Sequence, residues 1–263
     1  MTDWQAVIDD GFRLPEGLST DYAVAELAEA LRSPDPVLRD EQAYVVLFRL
    51  IPGLDHARRR SLGAQMAVRL ADPQIQARTF APLILAEIVA RGEFEPEWLS
   101  AFEAWYPAET DLRGHDPDLG WLHAVAHGAD LLGAFGRHTR VEPVRMLRLA
   151  TARLLAPTDY LFAAQEDDRL AFALALTLTR KELTEQESTG WLAPIAADFA
   201  AGEPGPVPAY ASNTMRTLRM LYLLADRGVR PDWSKGQPAP VSNREAVKQR
   251  LADVLALTAP FAG

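Results

Sequence analysis

The sequence predicts an all-α protein of paired helices, a HEAT- or armadillo-like α-solenoid. Three observations carry that expectation. Apolar residues recur with helical period along nearly the whole chain, and strand-like alternation is almost absent. Prolines and glycines fall between the periodic segments as punctuation. Asp-Pro opens an apolar segment three times: DPVLRDEQAYVVLFRLI from Asp35, DPQIQARTFAPLILAEIV from Asp72 and DPDLGWLHAVAHGADLL from Asp116. The offsets of 37 and 44 residues suit two-helix repeats of roughly 40 residues. Asp-Pro is also a common helix start by itself, because aspartate caps and proline fits the first turn. The repeat therefore rests on its agreement with the periodicity.

Helices are expected over 21–32, 36–51, 55–70, 74–91, 96–105, 118–136, 143–155, 167–181, 185–200, 209–227 and 243–257. Thr184 with Glu187, and Ser242 with Glu245, stand at capping-box spacing. Ser212 or Asn213 is expected to cap the helix that carries Arg216, Arg219 and Tyr222. GVRPDWSKGQPAPV, residues 228–241, is expected to be a linker before the last helix. With 263 residues, 48% of them hydrophobic, the chain can bury a full core, and one domain over 1–263 is expected.

Composition narrows the function classes. The chain has no cysteine, which excludes disulfides and thiolate metal sites. MTDWQAVIDDGF carries acids where a signal peptide needs bases, and no run approaches the length of a membrane span. A cytoplasmic protein without a membrane partner is expected. The net charge of −9 opposes phosphate-backbone binding, and the one basic run, Arg58-Arg59-Arg60, sits on an expected helix face, so no nucleic-acid partner is expected. There is no glycine-rich phosphate loop and no G-x-S-x-G elbow, so kinase, nucleotide-dehydrogenase and serine-hydrolase readings lose support.

GWLHAVAHGADLL, residues 120–132, is the most suggestive stretch. On a continuous helix, His123, His127 and Asp130 share one stripe, opposite Trp121, Val125 and Leu132, with small residues between. Three readings stay open: a metal site, an organic-ligand or catalytic stripe, and ordinary polar residues between helices. For the first, two imidazoles and a carboxylate are the minimum for Zn²⁺, Mn²⁺ or Fe²⁺. The H-E-x-x-H pattern is not met, because Ala124 stands where the glutamate belongs. The preceding loop, YPAETDLRGHDPDLG, holds Glu109, Asp111, Arg113, His115, Asp116 and Asp118. Arg113 there could clamp an anion or pair with the neighbouring acids, or the stretch is an exposed polar loop in which Asp116 caps the next helix. QEDDRLAFALALTLTR begins a helix with Glu166, Asp167, Asp168 and Arg169. These acids either complement the helix dipole or face the histidines, with Arg216 and Arg219 placed to neutralise them.

ETDLRG, GWLHAVAHGADLL and EDDRLA, in this order, resemble the uncharacterised bacterial family catalogued as domain of unknown function 2785. The resemblance covers roughly residues 20–225. It implies no particular activity. It places emphasis on Glu109, Asp111, Arg113, Gly120, Trp121, His123, His127, Asp130, Glu166, Asp168 and Arg169, and away from a purely structural role for the histidines. The expectation is a binding protein for a small molecule or peptide. His123, His127 and Asp130 line its concave pocket, with Glu109, Asp111, Arg113, Trp121, Glu166, Asp168 and Arg169 around them. The alternatives are a metal-dependent hydrolase, for which His123, His127 and Asp130 are the ligands, and a protein-interaction scaffold.

Overall fold

The computed structural model describes residues 2–202, 205–231 and 236–259. They are mostly helical, as the periodicity predicts. In chain order come α1 (Trp4–Asp9), α2 (Thr20–Ala30), a π-helix (Val37–Tyr44), α3 (Val45–Leu50) and a 3-10 turn (Ile51–Gly53). Then follow α4 (His56–Arg69), α5 (Ile75–Ala90), α6 (Pro96–Trp105) and a hairpin of β1 (His115–Asp116) and β2 (Gly120–Trp121). After it come α7 (Ala124–Arg137), α8 (Pro143–Leu155), α9 (Glu166–Leu178), α10 (Glu185–Gly190), α11 (Ala193–Ala201), α12 (Ala209–Arg227) and α13 (Arg244–Ala256). No described helix is long and apolar enough to cross a membrane.

The three Asp-Pro segments begin alike. Asp35, Asp72 and Asp116 each accept, through Oδ1, the backbone N–H two residues on, at 3.0, 2.9 and 3.0 Å. These are Asx turns. The first two lead into the π-helix and α5. The third leads into the hairpin instead, and the expected 118–136 helix starts only at Ala124. Gly120 at φ +70° and His123 at φ +49° hold the intervening residues off the helical path.

The chain forms two compact units, Met1–Trp105 with Asp111–Leu131, and Tyr106–Thr110 with Leu132–Gly263. In the first, α5 is buried around its circumference, with Ala77, Phe80, Ala81, Ile84, Leu85 and Ile88 enclosed, as expected of a central helix. It packs on α4. At Gly63 of α4 a Cβ would stand 2.5 Å from the Trp98 ring, so α4 and α6 approach at a distance that only glycine allows.

Beyond α5, the buried Glu93 accepts from Arg59 Nε at 2.9 Å and His56 Nδ1 at 2.6 Å. Burial pushes its carboxyl up, but the hydrogen bonds from Arg59 and His56 and their charges outweigh this, and its pKa lies below the ordinary 4.5. A depressed carboxylate stabilises the fold above its unfolded-state pKa, and that contribution is lost as pH falls through the folded value. Urea midpoints taken from neutral pH down to about pH 3 should therefore fall more steeply for the wild type than for Glu93→Gln. Parallel profiles would refute the assignment.

In the second unit α12 lies against α9, α8 and α13. Leu170, Leu174, Leu218, Leu221, Leu251 and Val254 are fully buried, at about 1.5–3 kcal/mol each. The expected 185–200 helix is two pieces, α10 and α11. Thr184 and Glu187 form the capping box, with Glu187 N donating to Thr184 Oγ1 at 3.2 Å and Thr184 N to Glu187 Oε2 at 2.9 Å. Ser242 and Glu245 do not. Asn243 takes the cap position at φ +53° without a side-chain cap bond, and the Ser242 hydroxyl donates to Arg180 O at 2.9 Å. Pro208, rather than Ser212 or Asn213, precedes α12. Of the expected linker, residues 232–235 lie outside the described residues. On either side of them Val229 and Ala239 exchange both backbone hydrogen bonds, at 2.9 and 2.7 Å.

Candidate functional site

The hairpin and the start of α7 carry the central motif, and a buried arginine fixes them. Arg39 lies in the π-helix, is fully buried and sits over the Phe80 ring at 4.9 Å. It donates to Ser33 O at 3.0 Å, to Leu119 O, and to Trp121 O at 3.3 Å, and its Nε pairs with Asp40 at 2.7 Å. Burial raises the Asp40 pKa, against the opposing charge of Arg39. The hairpin backbone thus rests on a guanidinium supplied from 80 residues away. Gly120 makes the approach possible, since a Cβ there would stand 2.6 Å from Pro36 Cβ, on a backbone already at φ +70°.

Just before the hairpin, Arg113 takes Asp111 in a fork at 2.8 and 2.6 Å and also holds Asp116. The Asp111 carboxyl is lowered chiefly by the Arg113 hydrogen bond, and Asp116 by the backbone N–H groups of Leu119 and Asp118. Of the two roles open to Arg113, pairing with the neighbouring acids is the one found, and its guanidinium is filled by the chain's own carboxylates.

Five rings follow one another across this unit. His115 meets Trp121 edge-on at 4.9 Å, and Trp121 lies at 4.5 Å from His123, tilted 34°. His123 meets His127 at 5.6 Å and 86°, and His127 meets Phe80 at 5.2 Å. Trp121, expected on the packing face of a helix, is 44% exposed, because it stands on β2. His123 precedes α7. Its N–H donates to Arg113 O at 3.0 Å, and its carbonyl accepts from His127 N at 2.9 Å. His127 is buried, and its Nδ1 lies 2.9 Å from Thr79 O. A carbonyl only accepts, so Nδ1 carries the proton there and Nε2 is the basic nitrogen of the neutral ring.

This geometry differs from the one the metal reading expects. The shared stripe of His123, His127 and Asp130 required a helix running through His123, and the left-handed backbone there turns its ring onto Trp121. Among the described residues no three His, Asp or Glu side chains form a group able to hold a metal ion.

Glu109, Glu166, Asp168 and Arg169 belong to the second unit. Glu109 is buried, and its carbonyl accepts from Arg153 at 2.7 Å. Glu166 is fully buried at the start of α9 and accepts from Ala164 N at 2.8 Å. Burial raises its pKa, and the Asp167 charge adds to the effect. Asp167 pairs with Arg216 at 2.7 Å, while Asp168 and Arg169 are exposed. Partial desolvation by the surrounding chain, then the charge of Asp167, raises the Asp168 carboxyl. From α12, Asn213 accepts from Phe162 N and donates to Tyr160 O, both at 2.9 Å, and Arg216 donates to Phe162 O at 2.8 Å. These side chains hold the loop that leads into the acids. Sequence reasoning missed Arg39, Asp40, Thr79 and Phe80. An arginine in DPVLRDEQ looks like a surface residue, and only its position four after an Asx-turn aspartate set it apart.

The fold and site define an all-α protein with a short hairpin that presents an exposed tryptophan between two imidazoles. The chain belongs to the family described as "Protein of unknown function (DUF2785)", whose model matches residues 64–223. That span takes in the hairpin, α7 and the acids of α9, whereas Arg39 lies before it. No curated protein and no solved structure matches the chain.

Proposed function

We propose that this protein binds a small molecule or a peptide, and that the recognition surface is the hairpin face around Trp121. The observation that carries the reading is the 44% exposure of Trp121 on a backbone fixed by a buried arginine and flanked by His115 and His123. An exposed but rigid tryptophan is a typical binding anchor, because little side-chain freedom is lost when a ligand covers it. The imidazoles can donate or accept beside it, so a planar organic ligand or an aromatic peptide side chain fits best. We further propose that the helices around it form a HEAT-like repeat, supported by the matching turns at Asp35 and Asp72.

A thermal-shift screen of nucleosides, aromatic carboxylates and short aromatic peptides tests the reading. Ligands found with wild type should bind Trp121→Ala about tenfold more weakly, or worse, a loss of at least ~1.4 kcal/mol. The variant's own stability should stay within about 0.5 kcal/mol, as is usual for an exposed position. Ligands that bind both proteins equally would refute the assignment.

A further inference from the structure

A cavity of about 580 Å³ opens in the second unit, lined by α8, α10 and the start of α11. Its size is that of a pocket for a small organic ligand. From α8 come Val144, Arg148, Thr151, Ala152 and Leu155, whose spacing puts them on one face of that helix. Gln186, Glu187, Trp191 and Pro194 come from the other side of the lining. Thr151 and Trp191 are buried, and their polar groups are spent within the chain. The Trp191 indole donates to Ser188 O at 2.9 Å, and the Thr151 hydroxyl lies 3.0 Å from Trp191 O. The two charged groups are not spent. Arg148 has no hydrogen-bond or ion-pair partner among the described residues. Glu187 takes both Thr184 bonds on Oε2, at 2.9 and 2.8 Å, which leaves Oε1 open. The Glu187 carboxyl is held below its ordinary value, first by those bonds and then by the Arg148 charge. One cation and one anion therefore line the same cavity, within reach of each other's field but without closing an ion pair.

We propose that this cavity binds a small zwitterion with an apolar side chain, an α-amino acid of the leucine or phenylalanine kind. Its carboxylate takes the Arg148 fork. Its ammonium donates to Glu187 Oε1, and its side chain covers Val144, Leu155 and Pro194. A simple anion meets the Glu187 charge and a simple cation meets the Arg148 charge, so a ligand that bears both signs gains most. This site involves none of the hairpin residues, so it stands independently of the function proposed above.

The full-length protein is titrated by calorimetry with L-leucine and L-phenylalanine. Two half-ligands follow: phenethylamine, which lacks the carboxylate, and phenylpropionate, which lacks the ammonium. Both amino acids should bind saturably, and phenylalanine about tenfold more tightly than either half-ligand. Arg148→Met, at an exposed position, should bring phenylalanine down to the level of phenethylamine. Glu187→Gln, which keeps the capping-box pattern, should bring it down to the level of phenylpropionate. Gly190 lines the cavity, and a Cβ there would meet no atom within 4 Å. Gly190→Leu should therefore fill the space and abolish binding with an unchanged circular-dichroism melt. Trp121→Ala should bind as wild type does. The proposal is overturned if neither amino acid saturates at millimolar concentration, or if either half-ligand binds as tightly as phenylalanine. It is equally overturned if any of the three cavity variants binds phenylalanine as wild type does, or if Trp121→Ala removes the binding.

Discussion

Arg39→Met is expected to destabilise the protein by about 3–5 kcal/mol, the usual cost of removing one partner from a buried ion pair. Methionine fills much of the volume and keeps the contact with Phe80, but it leaves Asp40 without its counter-charge. It also leaves the carbonyls of Ser33, Leu119 and Trp121 without their donor. The pH dependence separates the charge effect from the packing effect. Asp40 already has a raised pKa in the folded protein, and losing Arg39 raises it further. A raised carboxyl costs nothing below its unfolded-state pKa, and the cost grows as pH climbs through the folded value. Urea denaturation should therefore show a penalty that is largest at neutral pH and shrinks on acidification. Arg39→Met/Asp40→Asn should recover part of it at neutral pH, because no unpaired charge is left. A penalty that is flat with pH and unrelieved in the double variant would falsify this account. Arg39→Met should also weaken any ligand found at Trp121, since the β2 backbone loses its anchor.

Arg153→Met carries the second large effect, in the other unit. Arg153 is 3% exposed and donates from Nη1 to Tyr106 O at 3.0 Å and to Glu109 O at 2.7 Å. Burial lowers its pKa, and the negative groups at Tyr106 and Glu109 oppose this. Two effects compete on substitution. The guanidinium no longer has to be desolvated, which favours methionine. Against that, two carbonyls of buried residues lose charge-assisted hydrogen bonds, at about 1–3 kcal/mol each. The second effect wins, because those carbonyls stay where they are, and the net loss is about 2–5 kcal/mol. Hydrogen exchange is the sharper measurement. Protection should fall first in Tyr106–Thr110 and the adjoining turn of α8, ahead of global opening. Uniform loss across the unit would assign Arg153 to general packing instead. Arg153→Lys should recover only part of the stability, since a compact ammonium is more strongly hydrated than a guanidinium and costs more to bury.

The helices were largely legible in the sequence. The expected 96–105, 143–155 and 209–227 coincide with α6, α8 and α12, where apolar spacing and a proline at the start agree. The site was less legible, for reasons that are local. The expected helix over 118–136 rests on DPDLG resembling the other Asp-Pro caps. Whether the chain continues as a helix or turns back as a hairpin was decided by positive φ at Gly120 and His123, and apolar periodicity carries no sign of that. Arg39 was invisible because burial of an arginine depends on carbonyls brought from far along the chain. Asp111 and Asp116 were visible as acids beside Arg113, but their spacing could not tell self-pairing from a vacant clamp. The pairing of the buried Asp167 with Arg216 matches the charge neutralisation expected of Arg216, since both charges are plain in the sequence.

The backbone at His123 bears on which substitutions the family can tolerate. At φ +49°, glycine or asparagine would relieve conformational cost that histidine bears less well. A saturation library at this one codon, sorted separately for folding and for ligand capture, should split into two unlike rankings. Glycine and asparagine should lead the first and histidine the second. Position 123 would then be a place where selection holds a side chain against the preference of its own main chain.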